Sequence, residues 1–307
     1  MIPTYNPRAD YLEQVLDSVL AQDWDPAEVQ IELVDDVSDT FDLAVFLERR
    51  GDPRLTCYRQ PQRAGIGGNW NTCIARARGH WVHILHQDDL VLPGFYDRLR
   101  EGITAEPDLG AAFCQAYWID DEGCRRGLMS RVRQGEPGIL FDWIEYIFVG
   151  LAIQTASIVV SRRVYEHLGG FNSAFRYVLD WDMWKRIAVQ YPIWYEPKPL
   201  ASYRKHRYAT TRTLQRSGEN LAEIGRSIEA SAAYLPPSIA DDVSERAGAH
   251  YTRNALRVAW ERLSVDRDFV TALTQLRGAR RLHSGKMLAK SAFILARRAW
   301  RRGTAGG

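Results

Sequence analysis

Residues 76–89 read RARGHWVHILHQDD, and this stretch decides the fold. It closes a predicted helix at 68–78 and continues as an apolar strand at 81–85, which runs into Asp88 and Asp89. The same alternation extends to both sides, with predicted strands at 29–34, 55–58 and 111–118 and predicted helices at 11–21 and 97–105. Strands that alternate with crossover helices predict an α/β fold, a mostly parallel sheet flanked by helices.

Two pairs of adjacent acids stand where predicted strands end. Asp35 and Asp36 follow one strand, and Asp88 and Asp89 follow another. Ligands of open α/β sheets bind beyond the carboxyl ends of the strands, so both pairs are candidates for a binding site. Adjacent carboxylates repel each other, and a divalent cation with oxygen ligands relieves that repulsion. The alternative for each pair is an ordinary exposed turn.

The chain divides into an α/β part and a helical part. Beyond residue 118 the predicted elements of the α/β part are a strand at 157–160 and helices at 162–168 and 180–190. The pattern then becomes almost entirely helical, so we predict domains at 1–215 and 216–307, the second a C-terminal helical extension. Only Met1 and Ile2 precede Pro3, which predicts a truncated first strand.

The basic residues are concentrated near the C-terminus. Forty Lys and Arg stand against 38 Asp and Glu, but nine of the basic residues and no acid lie between Arg277 and Arg302. The rest of the chain, 31 basic against 38 acidic residues, has a net charge of −7, which argues against a nucleic-acid binder. The segment 286–302 is basic and amphipathic. It predicts either a helix in the interface of an anionic membrane or a helix packed on the α/β domain.

Cysteine usage and the N-terminus indicate a reducing compartment. The four cysteines have neither zinc-site spacing nor the density of a disulfide framework, and no signal peptide is recognisable. The longest uncharged run, 16 residues at 146–161, is shorter than the ~20 that a spanning helix needs. We therefore expect a cytoplasmic protein, either free or peripheral at the inner face of the membrane.

A set of motifs occurs in a fixed order along the first two thirds of the chain. They are IPTYN at 2–6, LVDDVSD at 33–39, HILHQDDLVLPGF at 83–95, GGFN at 169–172, LDWDMW at 179–184 and YRKH at 203–206. In order and spacing this set resembles glycosyltransferase family 2. The resemblance implies a GT-A (Rossmann-like) fold, a nucleotide-diphosphate sugar as donor, and inversion of the anomeric carbon.

The resemblance also assigns donor binding. The residues it implies for the nucleotide sugar are Pro3, Thr4, Tyr5, Asp35, Asp36, Gly67 and Asp88. Pro3 and Thr4 would line the base pocket, and Asp36, with Asp35 beside it, would accept a hydrogen bond from the base or ribose. The stretch GIGGNWN at 65–71 lacks the Lys-Ser/Thr of a P-loop, and its position in the family is that of a loop shaping the nucleotide pocket.

A divalent cation, Mn²⁺ or Mg²⁺, is the cofactor that the resemblance implies. Asp88 and Asp89 would bind it and so screen the charge of the diphosphate leaving group. His206 is the third implied ligand, with a surface histidine as the alternative. His86 stands where most members of the family have Asp, so its imidazole either bonds the donor or merely packs.

The implied catalytic base is Asp180. An inverting displacement needs one carboxylate to take the proton of the acceptor hydroxyl. Leu179 replaces the Glu that most members have before this acid, and Asp182 is a second candidate. Asp180 could also cap its helix. Trp181, beside the base, is expected to face the acceptor sugar.

These implications predict a metal-dependent inverting hexosyltransferase that acts on a glycan or lipid-linked acceptor, as in polysaccharide biosynthesis of the cell envelope. Two alternatives stay open. One is a degenerate GT-A module that binds a sugar nucleotide without catalysis, which His86, Leu179 and the short N-terminus favour. The other is a different nucleotide-sugar enzyme, such as a nucleotidyltransferase, although its Gly-rich signature with a lysine near the N-terminus is absent from the sequence.

Overall fold

The computed structural model describes residues 1–129, 132–206 and 210–282, so the basic segment at 286–302 lies outside the described residues. The strands in chain order are β1 (Ile2–Thr4), β2 (Ile31–Asp35), β3 (Leu55–Arg59), β4 (Trp81–His83), β5 (Leu90–Val91), β6 (Ala111–Ile119), β7 (Arg125–Leu128), β8 (Gly138–Ile139), β9 (Ile158–Ser161) and β10 (Ile193–Arg204). The helices are α1 (Ala9–Leu20), α2 (Leu43–Arg50), α3 (Gly65–Arg76), α4 (Phe95–Ala105), α5 (Arg162–Leu168), α6 (Leu179–Ala188), α7 (Thr210–Ser217), α8 (Glu219–Ala232), α9 (Pro237–Ser264) and α10 (Phe269–Leu282).

The chain forms two compact units. The α/β unit holds residues 1–147 and 151–206, and it contains every strand of the described chain. The helical unit holds residues 148–150 and the described residues from 210 onward. The division after residue 206 follows the end of β10 and lies ahead of the boundary expected at 215.

The first three strands form a parallel sheet in the order β1-β2-β3, with α1 and α2 as the crossovers. β1 is short, but all of its residues are buried, and Thr4 pairs with Asp35. Two backbone hydrogen bonds join β1 to the end of β4 and the residues just after it. The amino group of Met1 donates to the carbonyl of His83 at 2.8 Å, and the N–H of Leu85 donates to the carbonyl of Met1 at 3.0 Å. β1 is therefore a short central strand between β2 and the end of β4.

The remaining strands form a mixed sheet in the order β4-β9-β6-β10-β5. Only the pair β6–β10 is parallel; β4–β9, β9–β6 and β10–β5 are antiparallel, and β7 and β8 add antiparallel edges. The α/β fold with flanking helices is confirmed, whereas parallel pairing is limited to β1–β3 and β6–β10. For β6 and β7 the reason is connectivity, since β7 returns directly after β6 through a short turn, which only an antiparallel pair permits.

The core of the α/β unit lies between α1 and the parallel strands. Leu12 and Leu16, one helical turn apart, are fully buried and share a cluster with Ile2, Leu33 and Phe95. Burial of a side chain of this size contributes about 1.5–3 kcal/mol to stability. This packing fixes the ends of β1 and β2, after which the acid-bearing loops begin.

β10 and α2 are not among the elements that the sequence pattern predicts. β10 contains Pro197 and Pro199, which cannot donate ladder hydrogen bonds, and its pairing with β6 shifts register on both sides of Pro199. Such irregularity hides a strand from a pattern search. α2 is short, begins where the Asp42 carboxylate accepts the N–H of Val45 at 3.0 Å, and ends at Gly51, whose φ of 67° suits glycine.

The helical unit consists of α7 to α10. α9 begins with Pro237 in its first turn, where a missing N–H costs nothing. Asn220 and Gln275 exchange side-chain hydrogen bonds of 3.2 and 2.9 Å inside the unit, which satisfies both buried amides. No helix within the described residues is both long enough and apolar enough to cross a membrane.

Candidate functional site

The Asp88–Asp89 turn follows β4 at the centre of the α/β unit. Asp89 is buried, and one of its carboxylate oxygens accepts the backbone N–H of Arg204 at 2.8 Å. The other oxygen lies 3.2 Å from Nδ1 of His86. Burial raises the pKa of Asp89, the contact with His86 opposes the rise, and the charge of Asp88 adds to it. The turn therefore holds two carboxyl groups that favour a positive partner.

His86 belongs to this acidic cluster. Its ring stacks on Trp70, with 4.8 Å between ring centroids. Burial, the largest single effect, would lower the pKa of His86, but its acidic neighbours together outweigh burial and raise the pKa above its ordinary value, with Asp89 contributing through a hydrogen bond and its charge. The charges of Asp88 and Asp180 act in the same direction. His86 is thus surrounded by three acids, which the sequence did not reveal.

The arrangement fits a divalent cation. Ligand atoms of His86, Asp88 and Asp89 all lie within 4.8 Å of one another. The buried Nε2 of His86 has no hydrogen-bond partner among the described residues. Nε2 of His206 lies 2.7 Å from Oδ2 of Asp88, so the fourth candidate ligand reaches the same carboxylate. Carboxylate oxygens and imidazole nitrogens together are ligands that suit Mn²⁺. The sequence predicts Asp88, Asp89 and His206 as ligands, and the structure adds His86 as a further candidate.

Arg204 holds the acidic turn in place. Its guanidinium is buried and donates to the carbonyl of Asp88 at 2.9 Å, to the carbonyl of Asp120 at 3.1 Å and to Oε1 of Gln14 at 2.7 Å. It also lies over the ring of Tyr11, 4.3 Å from the centroid. Arg204 lies in the YRKH motif at 203–206, but the sequence predicts no role for it. A charged residue just before His206, at the end of a strand, was the available signal.

Asp35 and Asp36 bond to loops of the protein. Asp36 accepts the backbone N–H groups of Ala64 and Gly65 at 2.6 and 2.9 Å, which anchors the start of α3. Asp35 accepts the hydroxyl of Ser38, and a guanidinium nitrogen of Arg59 donates to it at 2.6 Å. Both carboxylates are buried, and Asp35 also accepts the backbone N–H of Ser38 at 3.1 Å.

Tyr5 links the N-terminal turn to the acidic turn. Its N–H donates to Oε1 of Gln87 at 2.8 Å, and the amide of Gln87 donates back to the Tyr5 carbonyl at 3.2 Å. The guanidinium carbon of Arg63 lies 3.8 Å from the centroid of the Tyr5 ring. Pro3 and Thr4 are buried in β1 just ahead of it. An exposed arginine on a half-buried ring offers a flat surface beside the candidate cation site.

Gly67 lies within α3 and packs closely on the chain at Ser173. A Cβ at Gly67 would stand 2.9 Å from the Cα of Ser173. The absence of a side chain is therefore required by the contact between α3 and the loop before α6. The resemblance implies a place for Gly67 in the nucleotide pocket, and in the structure Gly67 makes this packing contact.

Asp180 lies in the first turn of α6, and the N-cap position is Val178, so Asp180 does not cap the helix. Its Oδ1 accepts the N–H of Trp181 at 2.7 Å. Burial raises the pKa of Asp180 to about 6, and the charge of His86 partly opposes this rise. The two groups are thus close enough for their charges to interact. A carboxyl with such a pKa is ionised at neutral pH and accepts a proton readily.

Asp182 and Trp181 have structural contacts. A carboxylate oxygen of Asp182 lies 3.0 Å from Nε of Arg186, which also donates to the carbonyls of Leu168 and Gly170. Trp181 is buried, and its indole N–H donates to the carbonyl of Ile147. The expectation that Trp181 faces an acceptor is therefore wrong. The helix turns this ring inward, which the sequence alone could not distinguish from an outward position.

Comparison with known proteins adds to this geometry. A profile described as "Glycosyl transferase family 2" matches residues 1–169. An uncharacterized glycosyltransferase of Rickettsia typhi is 22% identical over 213 residues, 69% of this chain and 65% of that protein. This chain thus matches about two thirds of that relative's length.

Two solved structures share the fold. Staphylococcus aureus TarS 1–349 in complex with UDP-GlcNAc has a TM-score of 0.68 at 13% identity, over 98% of this chain and 90% of that chain. A mannosyltransferase from Pyrobaculum calidifontis in complex with GDP-Man and Mn²⁺ has a TM-score of 0.59 at 20% identity, over 97% and 81%. These similarities establish the architecture, a GT-A sheet flanked by helices.

Proposed function

The chain belongs to glycosyl transferase family 2, and we propose that it moves a hexose from a nucleotide-diphosphate sugar to a hydroxyl of a glycan or lipid-linked acceptor, with inversion. The observation that carries this proposal is the half-buried carboxyl of Asp180 beside the cluster of His86, Asp88 and Asp89. The candidate base and the candidate cation ligands therefore lie close to each other. A metal-assisted displacement at an anomeric carbon requires both a proton acceptor and a cation.

Asp180 acts as the general base in this proposal. Its raised pKa of about 6 makes it a stronger proton acceptor than an exposed aspartate, while it stays ionised at neutral pH. It takes the proton of the acceptor hydroxyl as the oxygen attacks. Asp182, bonded to Arg186, is less suited to this task because its carboxylate is already paired.

His86, Asp88, Asp89 and His206 would hold Mn²⁺ or Mg²⁺. When bound, the cation would supply positive charge against the diphosphate of the leaving group. Arg204 keeps the turn of Asp88 and Asp89 in position through its hydrogen bonds. The mannosyltransferase that shares the fold was solved with Mn²⁺, which supports a divalent cation in this chain as well.

The donor is bound along the N-terminal turn. We place the base on Tyr5, next to Pro3 and Thr4, and the phosphates near Asp88. Three further residues contribute to donor binding by holding the loops around this surface, because their own contacts are with the protein. They are Asp35, Asp36 and Gly67. Donors in the two related structures are a uridine and a guanosine nucleotide sugar, which supports the donor class without choosing the base.

The acceptor and the place of action complete the proposal. A lipid-linked or polymeric glycan acceptor agrees with a cytoplasmic enzyme that is peripheral at the inner face of the membrane. The basic segment at 286–302, outside the described residues, would make the contact with the membrane, which is one of the two roles that the sequence predicts for it.

The experiment is a donor screen with the purified chain, in which UDP-sugars and GDP-sugars are tested for thermal stabilisation and for release of nucleoside diphosphate. We expect release with one donor in the presence of Mn²⁺, its loss in EDTA, and loss in Asp88→Ala with the melting temperature retained. Full activity in EDTA would contradict the cation site. Stabilisation by a donor without release, under all conditions and acceptors, would favour the degenerate binding module.

A further inference from the structure

Exposed apolar side chains are concentrated in one stretch of the helical unit, at the end of α9 and in α10. Seven of the twelve large hydrophobic side chains that are exposed in the described parts of the chain lie between residues 260 and 276. They are Trp260, Leu263, Val265, Phe269, Val270, Leu273 and Leu276, here called the α9–α10 face. Single exposed hydrophobic residues are ordinary, but a concentration of this kind marks a surface that contacts something other than water.

α10 shows the pattern most clearly. Phe269, Leu273 and Leu276 follow one another at helical spacing, so they form a single outward stripe, and Phe269 is 67% exposed. The opposite side of the helix is buried through Ala272 and Ala279. A surface helix of a globular protein normally turns polar residues outward. α10 is instead apolar outward over its first two turns.

Positive charge follows directly along the same helix. Arg277, Arg280 and Arg281 are exposed in the last turns of α10, and α10 contains no acid. The acids just before the helix are engaged, because Asp266 pairs with Arg212 and Arg262. The neighbouring Asp268 carboxylate accepts the N–H and the hydroxyl of Thr271. The helix therefore presents an apolar stripe with a basic end.

We propose that the α9–α10 face docks on an anionic lipid surface. Phe269, Leu273 and Leu276 would enter the boundary between headgroups and acyl chains, while the arginines extend along the helix to lipid phosphates. Charge complementarity favours lipid over a second copy of this chain. Two copies joined by this face would bring together three arginines each and no acid of α10 to pair with them.

This surface is independent of the proposed reaction. It uses residues of the helical unit alone, and none of them belongs to the candidate site. It also differs from the basic segment at 286–302, because it supplies the apolar part of the contact from residues that the structure describes. Binding by charge alone would need no exposed phenylalanine or leucine.

The test is co-sedimentation of the full chain with vesicles of phosphatidylglycerol and phosphatidylcholine in equal parts, compared with pure phosphatidylcholine. Phe269→Ser combined with Leu273→Gln should weaken binding to the anionic vesicles about tenfold or more, since each removes apolar surface that inserts. Arg280→Gln combined with Arg281→Gln should weaken it by a similar factor, because each basic residue contributes about fivefold. The control, Leu128→Gln combined with Phe141→Ser, removes equally exposed apolar residues of the α/β unit and should bind as the unchanged chain does.

All of these variants change exposed side chains, so melting temperature and nucleoside diphosphate release in solution should be unchanged. Failure of release in every form of the protein would affect the proposed function and leave this inference standing. The inference would be overturned if the unchanged chain bound neither vesicle or if the Phe269/Leu273 variant bound as tightly as the control. A lowered melting temperature in that variant would also overturn it, since the face would then be covered by the chain itself. A dimer of the unchanged chain that only the Phe269/Leu273 variant dissociates would overturn the inference too, because the α9–α10 face would then bind a second copy of the chain.

Discussion

Asp180 lies at the start of α6, and burial raises its pKa to about 6, although the hydrogen bond from the N–H of Trp181 opposes the rise. Asp180→Asn keeps the shape of the side chain and removes the proton acceptor, so transfer should fall about 10²–10⁴-fold. Because the pKa is raised, the base is protonated and inactive below about pH 6, and the rate of the unchanged enzyme should fall as the pH decreases through that value. The variant should lose this acidic limb. Rates across the pH range, with nucleotide affinity measured by calorimetry, check both points.

Asp182→Asn is the matched control, two residues along the same helix. It weakens the ion pair with Arg186 and should lower the free energy of unfolding by about 1–3 kcal/mol, while transfer per folded molecule changes little. If Asp182→Asn abolished transfer and Asp180→Asn did not, the base would be Asp182.

The residues of the candidate site were partly predictable from sequence. Asp88 and Asp89 meet His206 in the structure because they directly precede β5, which pairs antiparallel with the end of β10 just ahead of His206. His86 and Arg204 could not be assigned, since their contacts depend on which side chains the folded chain brings opposite them. Whether an aromatic ring in the first turn of a helix points inward is also decided by packing, which is why Trp181 was misplaced.

At the scale of the elements, Arg204, the last residue of β10, holds the Asp88–Asp89 turn in place through hydrogen bonds. Arg204→Lys keeps the charge but cannot donate in several directions, so the turn of Asp88 and Asp89 should loosen. We expect Mn²⁺ affinity, measured by titration, to fall about 10–100-fold. Arg98→Lys is the control, because Arg98 also contacts β10, through Glu196, without touching the turn. Equal Mn²⁺ affinity in both variants would contradict a positioning task for Arg204.

The close approach of α3 to the chain at Ser173 gives a second test at this scale. Gly67→Ala places a Cβ 2.9 Å from a backbone carbon, so the helix must shift, at a cost of about 1–3 kcal/mol in stability. Gly135→Ala, where nothing lies within 4 Å of the new Cβ, should be neutral. Urea denaturation measures both. Unchanged stability of Gly67→Ala with a raised KM for the donor would instead support the nucleotide contact that the sequence predicts.

The elements themselves were predictable where their hydrophobic period is regular. α1, α4, β2 and β6 are strongly patterned, and their positions follow from the sequence within a few residues. β10 escapes because two prolines and a register shift interrupt it. The sequence also does not predict whether the later strands pair parallel or antiparallel. Their direction depends on how the chain returns after β6 and not on the residues within each strand.

For the whole molecule, charge and apolar exposure are distributed unevenly along the chain. The candidate cation ligands and the proposed base belong to the α/β unit, whereas the exposed apolar stripe and its arginines belong to the helical unit. The chain after Leu282 adds six of the nine clustered basic residues. A reaction on a lipid-linked or surface-bound acceptor would gain from this division, because lipid binding and chemistry then use separate residues.

Truncation after Leu282 tests this division in the whole molecule. The cut leaves α10 complete, so the described core of each unit keeps its contacts, and we expect an unchanged melting temperature and unchanged stabilisation by the donor nucleotide. Binding to anionic vesicles should weaken by well over tenfold, because six basic residues at about 1 kcal/mol each are removed. The remaining binding should still depend on Phe269 and Leu273. If the truncated protein unfolds, the segment after Leu282 is instead part of the core, and the packed helix that the sequence left open as an alternative is the correct interpretation.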